Sequence, residues 1–328
     1  MLAFDYLRPR DVDAAVAAVA QGDAKFVGGG TNLLDLMKSG VARPQRLIDI
    51  NHLGLDRIEN LPDGGLRIGA AARNSDVANH ERVRKDFPLL SRALLAGASP
   101  QLRNMATVGG NLLQRTRCDY FVDPGFRHCN KRHPGSGCAA RDGLNRLHAV
   151  LGASSACVAV NPSDMNVALV ALGASVNVRG RGGARTIPIE QFHRLPAERP
   201  EQDTTLAADE LIVSVDLPPP RFAQACDYLK VRDRASFAFA LVAVAVGLEV
   251  ADGTIRSGRI ALGGVAHKPW FAEKASLALA GAAAATLDRD TIAALALEGA
   301  QPLAQNGYKI PLAKNAVKRA LARALEAA

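Results

Sequence analysis

Aromatic residues make up only 5% of this 328-residue chain. With no Lys/Arg-rich helix interleaved with aromatics, that scarcity argues against nucleic acid as a partner. No stretch reaches the ~18 apolar residues a spanning helix needs, so membrane insertion is not expected. The N-terminus, MLAFDYLRPRDVDAAVAAVAQGDAK, lacks a basic start followed by an apolar run and a cleavage site, so it does not read as a secretory signal. There is no internal repeat. There is also no GxGxxG, which removes the dinucleotide fingerprint of nicotinamide enzymes. A soluble protein made in the reducing cytosol is expected, where clustered cysteines serve as ligands more often than as disulfides.

Cysteine is scarce too, with five residues in all. Four of them, Cys118, Cys129, Cys138 and Cys157, share one Gly-, Pro-, Arg- and His-rich stretch without apolar periodicity. Four thiols on an irregular segment point to a metal or metal–sulfur site, because thiolates are soft, anionic ligands. The spacing C-x10-C-x8-C-x18-C has neither the paired knuckles of structural zinc nor the tight C-x2-C runs of compact ferredoxins. Iron–sulfur, zinc and unligated thiols therefore all stay open. Arg115, Arg117, Arg127, Lys131, Arg132, Arg141 and Arg146 lie in the same stretch. They would offset the charge of an anionic cluster, or form a solvated or partner-facing basic loop. His128, His133 and His148 could ligate, but read better as surface or turn histidines. Cys226 lies in a strand pattern and reads as a buried free thiol.

What is plentiful is apolar residue, 48% of the chain, with a net charge of +8. A sizeable core follows, in one large domain or two to three smaller ones, and the positive charge reads as a partner or cofactor effect. A helix is predicted over 11–21, then a strand, glycine turn and helix start in AKFVGGGTNLL. LIDI (47–50) and LRIGAAAR (66–73) read as strands, the second followed by Asn74 or Ser75 as a helix cap. Residues 83–96 read as helical. After the cysteine stretch, 163–173 reads as a helix with Ser163 or Asp164 at its cap and Gly173 at its end. SVNVRG and ARTIPI alternate like a hairpin, and ELIVSVDLPPP closes this half with a strand. From about 224, three strands with a turn at Asp252-Gly253 precede helices at 271–281, 288–299 and 312–327, with the alanines of 281–286 as helix or linker. Strands followed by helices suggest an α+β domain.

Two glycine loops carry candidate chemistry. Gly28-Gly29-Gly30 precedes Thr31 and Asn32, and glycines let a backbone approach a phosphate while unpaired N–H groups point at it. A tight turn with a helix cap explains the same residues. Thr107-Val108-Gly109-Gly110-Asn111 is a second such loop, or a glycine kink beside packed backbone. Two loops distant in sequence can converge on one pyrophosphate.

VGGGTNLLDLMK, ATVGGNLLQ, PSDM and LGGVAHKPW, in this order, resemble the FAD-binding subunit of the molybdenum hydroxylases. That family includes xanthine dehydrogenase, carbon monoxide dehydrogenase and aldehyde oxidoreductases. The cysteine insertion between TVGGN and PSDM is similar to that of periplasmic-type aldehyde oxidoreductase FAD subunits, which carry an extra [4Fe–4S] cluster. A comparable insertion occurs in 4-hydroxybenzoyl-CoA reductase, but QLRNMATVGGNLLQRTRC and KVRDRASFAFALV favour the aldehyde oxidoreductase branch. The resemblance implies an α+β fold. A vanillyl-alcohol-oxidase/PCMH-like FAD domain over 1–222 would comprise two α/β subdomains, about 1–54 and 55–222, with an iron–sulfur loop at 115–160. A C-terminal α+β domain of the carbon monoxide dehydrogenase flavoprotein type would cover 223–328.

By the same resemblance, Phe26, Val27, Gly28, Gly29, Gly30, Thr31, Asn32 and Leu33 would wrap the pyrophosphate, with Thr107, Gly110 and Asn111 as the second phosphate loop. Asp164 would bond the ribityl part of FAD, or serve as a plain helix cap. Ile212 and Lys230 would lie near the isoalloxazine ring, Lys230 otherwise being a solvated strand lysine. Cys118, Cys129, Cys138 and Cys157 would hold the [4Fe–4S] cluster, as an electron relay or a structural staple. The first loop reads GGGTN where many relatives have a different residue before the second glycine, which should not alter phosphate binding.

The implied role is electron transfer within a heterotrimer. A molybdenum-cofactor subunit would oxidise an aldehyde, a [2Fe–2S] subunit would pass electrons to FAD here, and FAD would reduce an external acceptor. The chain shows no sign of molybdopterin binding and no second cysteine group. It would act in the cytoplasm, or in the periplasm by co-export with a signal-bearing partner. A stand-alone FAD oxidase would need a substrate base or a covalent flavin attachment residue, and neither is evident. A zinc-stapled binding module without redox role would be colourless.

Overall fold

A computed structural model describes residues 1–328. Three sheets organise them. The first is parallel, with β1 (Asp5–Leu7), β2 (Ala24–Val27) and β3 (Arg46–Asp49) in the order β1-β3-β2. Parallel neighbours need crossovers, and two helices supply them. Asp11 caps the first, Val12–Val19, by accepting from the Ala14 N–H. Its Ala15, Val16, Ala18 and Val19 bury against the sheet. The second, Leu33–Lys38, follows the first glycine loop.

The second sheet is antiparallel. Its strands are β4 (Ile58–Asn60), β5 (Leu66–Gly69), β6 (Ser175–Gly180), β7 (Gly183–Pro188) and β8 (Leu211–Leu217), in the order β4-β5-β8-β6-β7. The β6–β7 hairpin is where the alternation placed it. The strand expected over 66–73 stops at Gly69. The helix expected over 83–96 is two, Glu81–Asp86 and Pro88–Ala96. Pro88 has no N–H to continue the first helix but suits the first turn of the second. The helix Asn74–Asn79 is capped by Arg73 without a side-chain bond, so neither Asn74 nor Ser75 is the cap.

The third sheet is antiparallel in the order β12-β11-β10-β9, from β9 (Ala225–Val231), β10 (Val242–Ala251), β11 (Thr254–Gly263) and β12 (Trp270–Phe271). Asp252 and Gly253 both take left-handed φ, 51° and 71°, as a two-residue hairpin turn requires. The short β12 occupies the start of the region expected to be helical from 271, and the helix begins at Glu273. The helices Arg289–Ala296 and Lys309–Glu326 complete this part, the last starting three residues before 312. Ala284–Thr286 is a single 3-10 turn.

Strand alternation decides how the sheets assemble. Val242, Val244, Val246 and Leu248 face the C-terminal helices, while Ala243, Ala245 and Ala261 face the core of the second sheet. That second face is small for a reason. The helix Asp164–Leu172, buried along its whole length, packs on β10 and β11. A methyl group on Gly263 would stand 2.5 Å from Val167. This helix has the ends expected of it: the Ser163 hydroxyl accepts from the Asn166 N–H, and Gly173 is left-handed.

The cysteine stretch is wedged between the two halves. Beyond the one-turn helix Asp119–Val122 it has no helix or strand, and the approach to the last helix fastens it. Asn145 and Gln305 exchange two hydrogen bonds at 3.1 and 3.0 Å, and Asn306 Nδ2 donates to the His148 and Ala149 carbonyls. Lys309, fully buried, donates to the carbonyls of Leu147, His148 and Gly264. Burial pushes its ammonium down to about 7.

An unfolded lysine keeps its proton to about pH 10.4, so between pH 7 and that value the unfolded chain binds the extra proton. Stability should then rise with pH by up to about 1.4 kcal/mol per unit. Lys309→Met should remove this rise, read as the difference in urea midpoint between variant and parent across pH 7–10. Parallel curves would mean that the three carbonyls hold the charge in place.

Candidate cofactor site

Strand β2 delivers the first glycine loop, and the loop is open to an anion. The backbone N–H groups of Gly28, Gly29, Gly30, Thr31 and Asn32 donate to no carbonyl of the protein. The helix that follows begins with Leu34 N–H to Gly30 and Leu36 N–H to Asn32. Gly30 is left-handed, at φ 74°. A Cβ on Gly28 would lie 2.9 Å from Thr107 Oγ1, and one on Gly29 only 1.8 Å from the Met105 carbonyl oxygen. Asn32 Oδ1 accepts from the Arg115 N–H at 2.8 Å, while its Nδ2 is buried without a partner. Five successive free amides and an orphaned side-chain donor match the donor set that a pyrophosphate requires.

The two glycine loops do meet, but in unequal parts. Val108 and Gly109 donate to Ala72 and Ala70, Asn111 donates to the Thr107 carbonyl, and Gly110 donates to Thr107 Oγ1. The second loop thus commits these amides internally and walls in the first. Asn111 Oδ1 accepts from Ser163 Oγ at 2.8 Å, which links this wall to the helix Asp164–Leu172. Phe26, Val27 and Leu33 direct their side chains into the small cores around the first sheet, so they offer the loop only backbone. Ile212 is buried in the main core.

Asp164 and Lys230 are brought together, which neither local reading anticipated. Asp164 Oδ2 accepts from Lys230 Nζ at 2.8 Å, with side chains 7% and 4% exposed. Its Oδ1 accepts from the Tyr228 hydroxyl at 2.6 Å. Ser163 is the cap, so Asp164 is not a plain capping residue, and Lys230, which also donates to the Ala96 carbonyl, is not a solvated lysine. Tyr228 was missed. Its signal was the period of two that sets it on the face of Lys230 in β9. Burial and the Asp164 charge push its hydroxyl well above the usual range, so it remains a donor.

The four cysteines line one small cavity, joined there by Phe121 and Lys131. Cys129 and Cys138 face each other across a backbone bridge, and all five cysteines are free. Burial pushes Cys118 up to about 12 and Cys157 up to about 11, so binding a metal here would release protons. No three His, Cys, Asp or Glu side chains gather closely enough to hold a single metal ion. Cys226 is buried in β9.

Of the basic residues of this stretch, Lys131 lines the cavity. Lys131, its side chain 1% exposed, pairs with Asp203 and donates to the Pro200 carbonyl at 2.7 Å. Arg115 and His267 share that carboxylate. Burial alone would raise Asp203, but Lys131, Arg115 and His267 together hold it below the usual carboxylate range. His128 and His133 are exposed, as expected. His148 is not: it is buried, with Nε2 3.1 Å from Cys118 Sγ, and burial keeps it neutral by lowering its pKa. Arg132 donates to the carbonyls of Phe121, Asp123 and Phe126, and Arg146 pairs with Asp233 at 2.8 Å.

Residues 2–220 match the family model described as the FAD binding domain in molybdopterin dehydrogenase, and residues 227–324 match the CO dehydrogenase flavoprotein C-terminal domain. The chain is 53% identical, over 99% of both sequences, to the aldehyde oxidoreductase FAD-binding subunit PaoB of Escherichia coli K12. It is 26% identical, over 98% of both, to the carbon monoxide dehydrogenase medium chain of Afipia carboxidovorans. Among solved structures it resembles carbon monoxide dehydrogenase from Hydrogenophaga pseudoflava, with a TM-score of 0.77 at 27% identity over 99% of this chain and 98% of that one.

Gly29→Ala should weaken flavin retention by about tenfold or more, because the Met105 carbonyl cannot yield to a methyl group; the flavin-to-protein absorbance ratio after dialysis measures it. Asp164→Ala should cost about 3–5 kcal/mol by leaving Lys230 buried and unpaired. The double change with Lys230→Met should cost less than the sum of the single changes in urea unfolding.

Proposed function

The chain belongs to the FAD-binding subunits of the molybdenum hydroxylases, and we propose that it is the electron-transfer subunit of a molybdenum-dependent aldehyde oxidoreductase. The observation that carries the reading is the run of five unpartnered amides beside the orphaned Asn32 Nδ2. The aldehyde substrate class rests on the 53% identity to an aldehyde oxidoreductase FAD-binding subunit. Bound in this cradle, FAD supplies reversible electron uptake between a donor and an acceptor. The protein's own part is positional. Gly28 to Asn32 would hold the phosphates, Thr107 and Met105 keep that loop from collapsing, and the Asp164–Lys230–Tyr228 group fastens the helix behind the second loop to β9.

The donor would be a [2Fe–2S] partner subunit, in a heterotrimer with a molybdenum-cofactor subunit, and the acceptor would be external. The relatives are named as subunits and medium chains, which supports an assembly of this kind. No helix is long and apolar enough to cross a membrane. We place the complex in the cytoplasm, or in the periplasm with a partner that bears the export signal.

The cysteine cavity completes the proposal with a [4Fe–4S] cluster on Cys118, Cys129, Cys138 and Cys157. Four free thiols on one cavity, beside a buried Lys131, suit an anionic cluster. Zinc draws its sulfurs to within about 3.8 Å of one another, given Zn–S bonds near 2.3 Å. The metal and sulfide count below distinguishes the two at this cavity.

Flavin, iron and acid-labile sulfide counted per chain on anaerobically purified protein test this reading. One FAD with about four irons and four sulfides is the expected result, and Cys118→Ser should then lose iron while keeping FAD. FAD with zinc and no sulfide would make the loop a staple. A colourless protein would overturn both cofactors.

A further inference from the structure

Behind the first glycine loop runs a line of polar side chains that the cofactor reading does not use. The Tyr6 hydroxyl donates to Asp49 Oδ2 at 2.6 Å. The buried Asp49 accepts at Oδ1 from the Asn51 backbone N–H at 2.9 Å and from Asn51 Nδ2 at 2.6 Å. Asn51 Nδ2 also donates to the Gly28 carbonyl at 3.1 Å. Asn51 Oδ1 accepts from Arg73 Nη2 at 2.9 Å, and Arg73 Nη1 donates to the Met105 carbonyl at 2.6 Å.

Both N–H donors of the Asn51 amide and one lone pair of its oxygen are therefore assigned, and Arg73 is held at both ends of its fork. The two carbonyls captured are telling. Gly28 O belongs to the loop itself, and Met105 O is the atom that Gly29 nearly touches. Carbonyl oxygens carry partial negative charge, so either one, left free to turn toward the loop amides, would repel an anion or take its donors. Drawing both into this line leaves the cradle lined by donors. Asp49 fixes Asn51 from the end of β3, while Arg73 and Met105 belong to the segments that lead out of the second sheet, so the line also sets the spacing between the two loops.

We propose that Arg73, oriented by Asn51 and Asp49, is the positioning residue of the phosphate cradle, acting on the diphosphate part of FAD through the Gly28 and Met105 carbonyls. Lysine cannot replace it in full, because one ammonium does not reproduce a planar fork held at two points.

The test uses the full chain, stripped of flavin and titrated with FAD and, separately, with ADP, which carries the diphosphate without the ring. Arg73→Met should weaken both ligands by about tenfold or more, equivalent to ~1.4 kcal/mol. The absorption spectrum of the saturated flavin and the Tm of the stripped protein should stay as in the parent. Arg73→Lys should recover part of the loss. Arg67→Met, which removes an exposed pair with Asp216, should change neither affinity. If Arg73→Met does not fold, Asn51→Ala must show the same parallel loss. ADP binding unchanged in a folded variant would overturn the proposal, as would a loss confined to Tm or to the flavin spectrum. A parent chain that takes up neither FAD nor ADP would overturn the flavoprotein reading along with it.

Discussion

Backbone lies against backbone where Gly29 meets the Met105 carbonyl, and the rest of the site depends on that contact. A Cβ on Gly29 would come within 1.8 Å of that oxygen, so the approach is available to glycine alone. It presses a loop from the first sheet onto a segment that belongs with the second. The consequence is an asymmetric pair of loops. One commits its amides to its own fold and becomes a wall; the other keeps five amides free. Free backbone donors are costly when buried unless a ligand meets them, and here they stay partly open to solvent.

The helix Asp164–Leu172 transmits this arrangement to the third sheet. Its first residue lies one step beyond Ser163, whose hydroxyl reaches Asn111 on the wall loop. Its body rests on the alanine and glycine face of β10 and β11, where larger side chains would hold it away. Asp164 then fastens the junction through Lys230 and Tyr228. A buried ion pair contributes little net stability compared with apolar packing. Its use here is to fix which groups face one another where the two halves of the molecule join.

The cysteine stretch shows the same economy with charge. It has little regular structure, so its backbone depends on side chains from elsewhere: Asn306 and Lys309 take its carbonyls, and Lys131 anchors it to Asp203. The basic residues that looked like a solvated surface are divided. Lys131 and Arg115 point inward to one shared carboxylate, while Arg132 ties carbonyls together. Of the positive charge in this stretch, Lys131 alone is buried, where Asp203 balances it.

Local order was legible in the sequence because its causes are local. A hydroxyl at Ser163, a glycine at 173, alternation through β6 and β7 and the Asp252-Gly253 turn each act within a few residues of one another. The glycine loops and the four thiols were visible as composition, and their order along the chain pointed to the family that the comparisons bear out. Proline at 88 was equally visible, but apolar periodicity ran through it and hid the break. Partnership was not legible. Asp164 and Lys230 stand 66 residues apart, Lys131 and Asp203 72, and Arg73 and Met105 32. No period or cap rule spans such intervals, because a charge or a carbonyl pairs with whatever packing brings within reach. By itself the sequence determined the elements, the glycines that permit close approach and the thiols that permit a metal; the tertiary structure decided which amides stay free and which charges meet, since both depend on distances that exist only once the three sheets have packed.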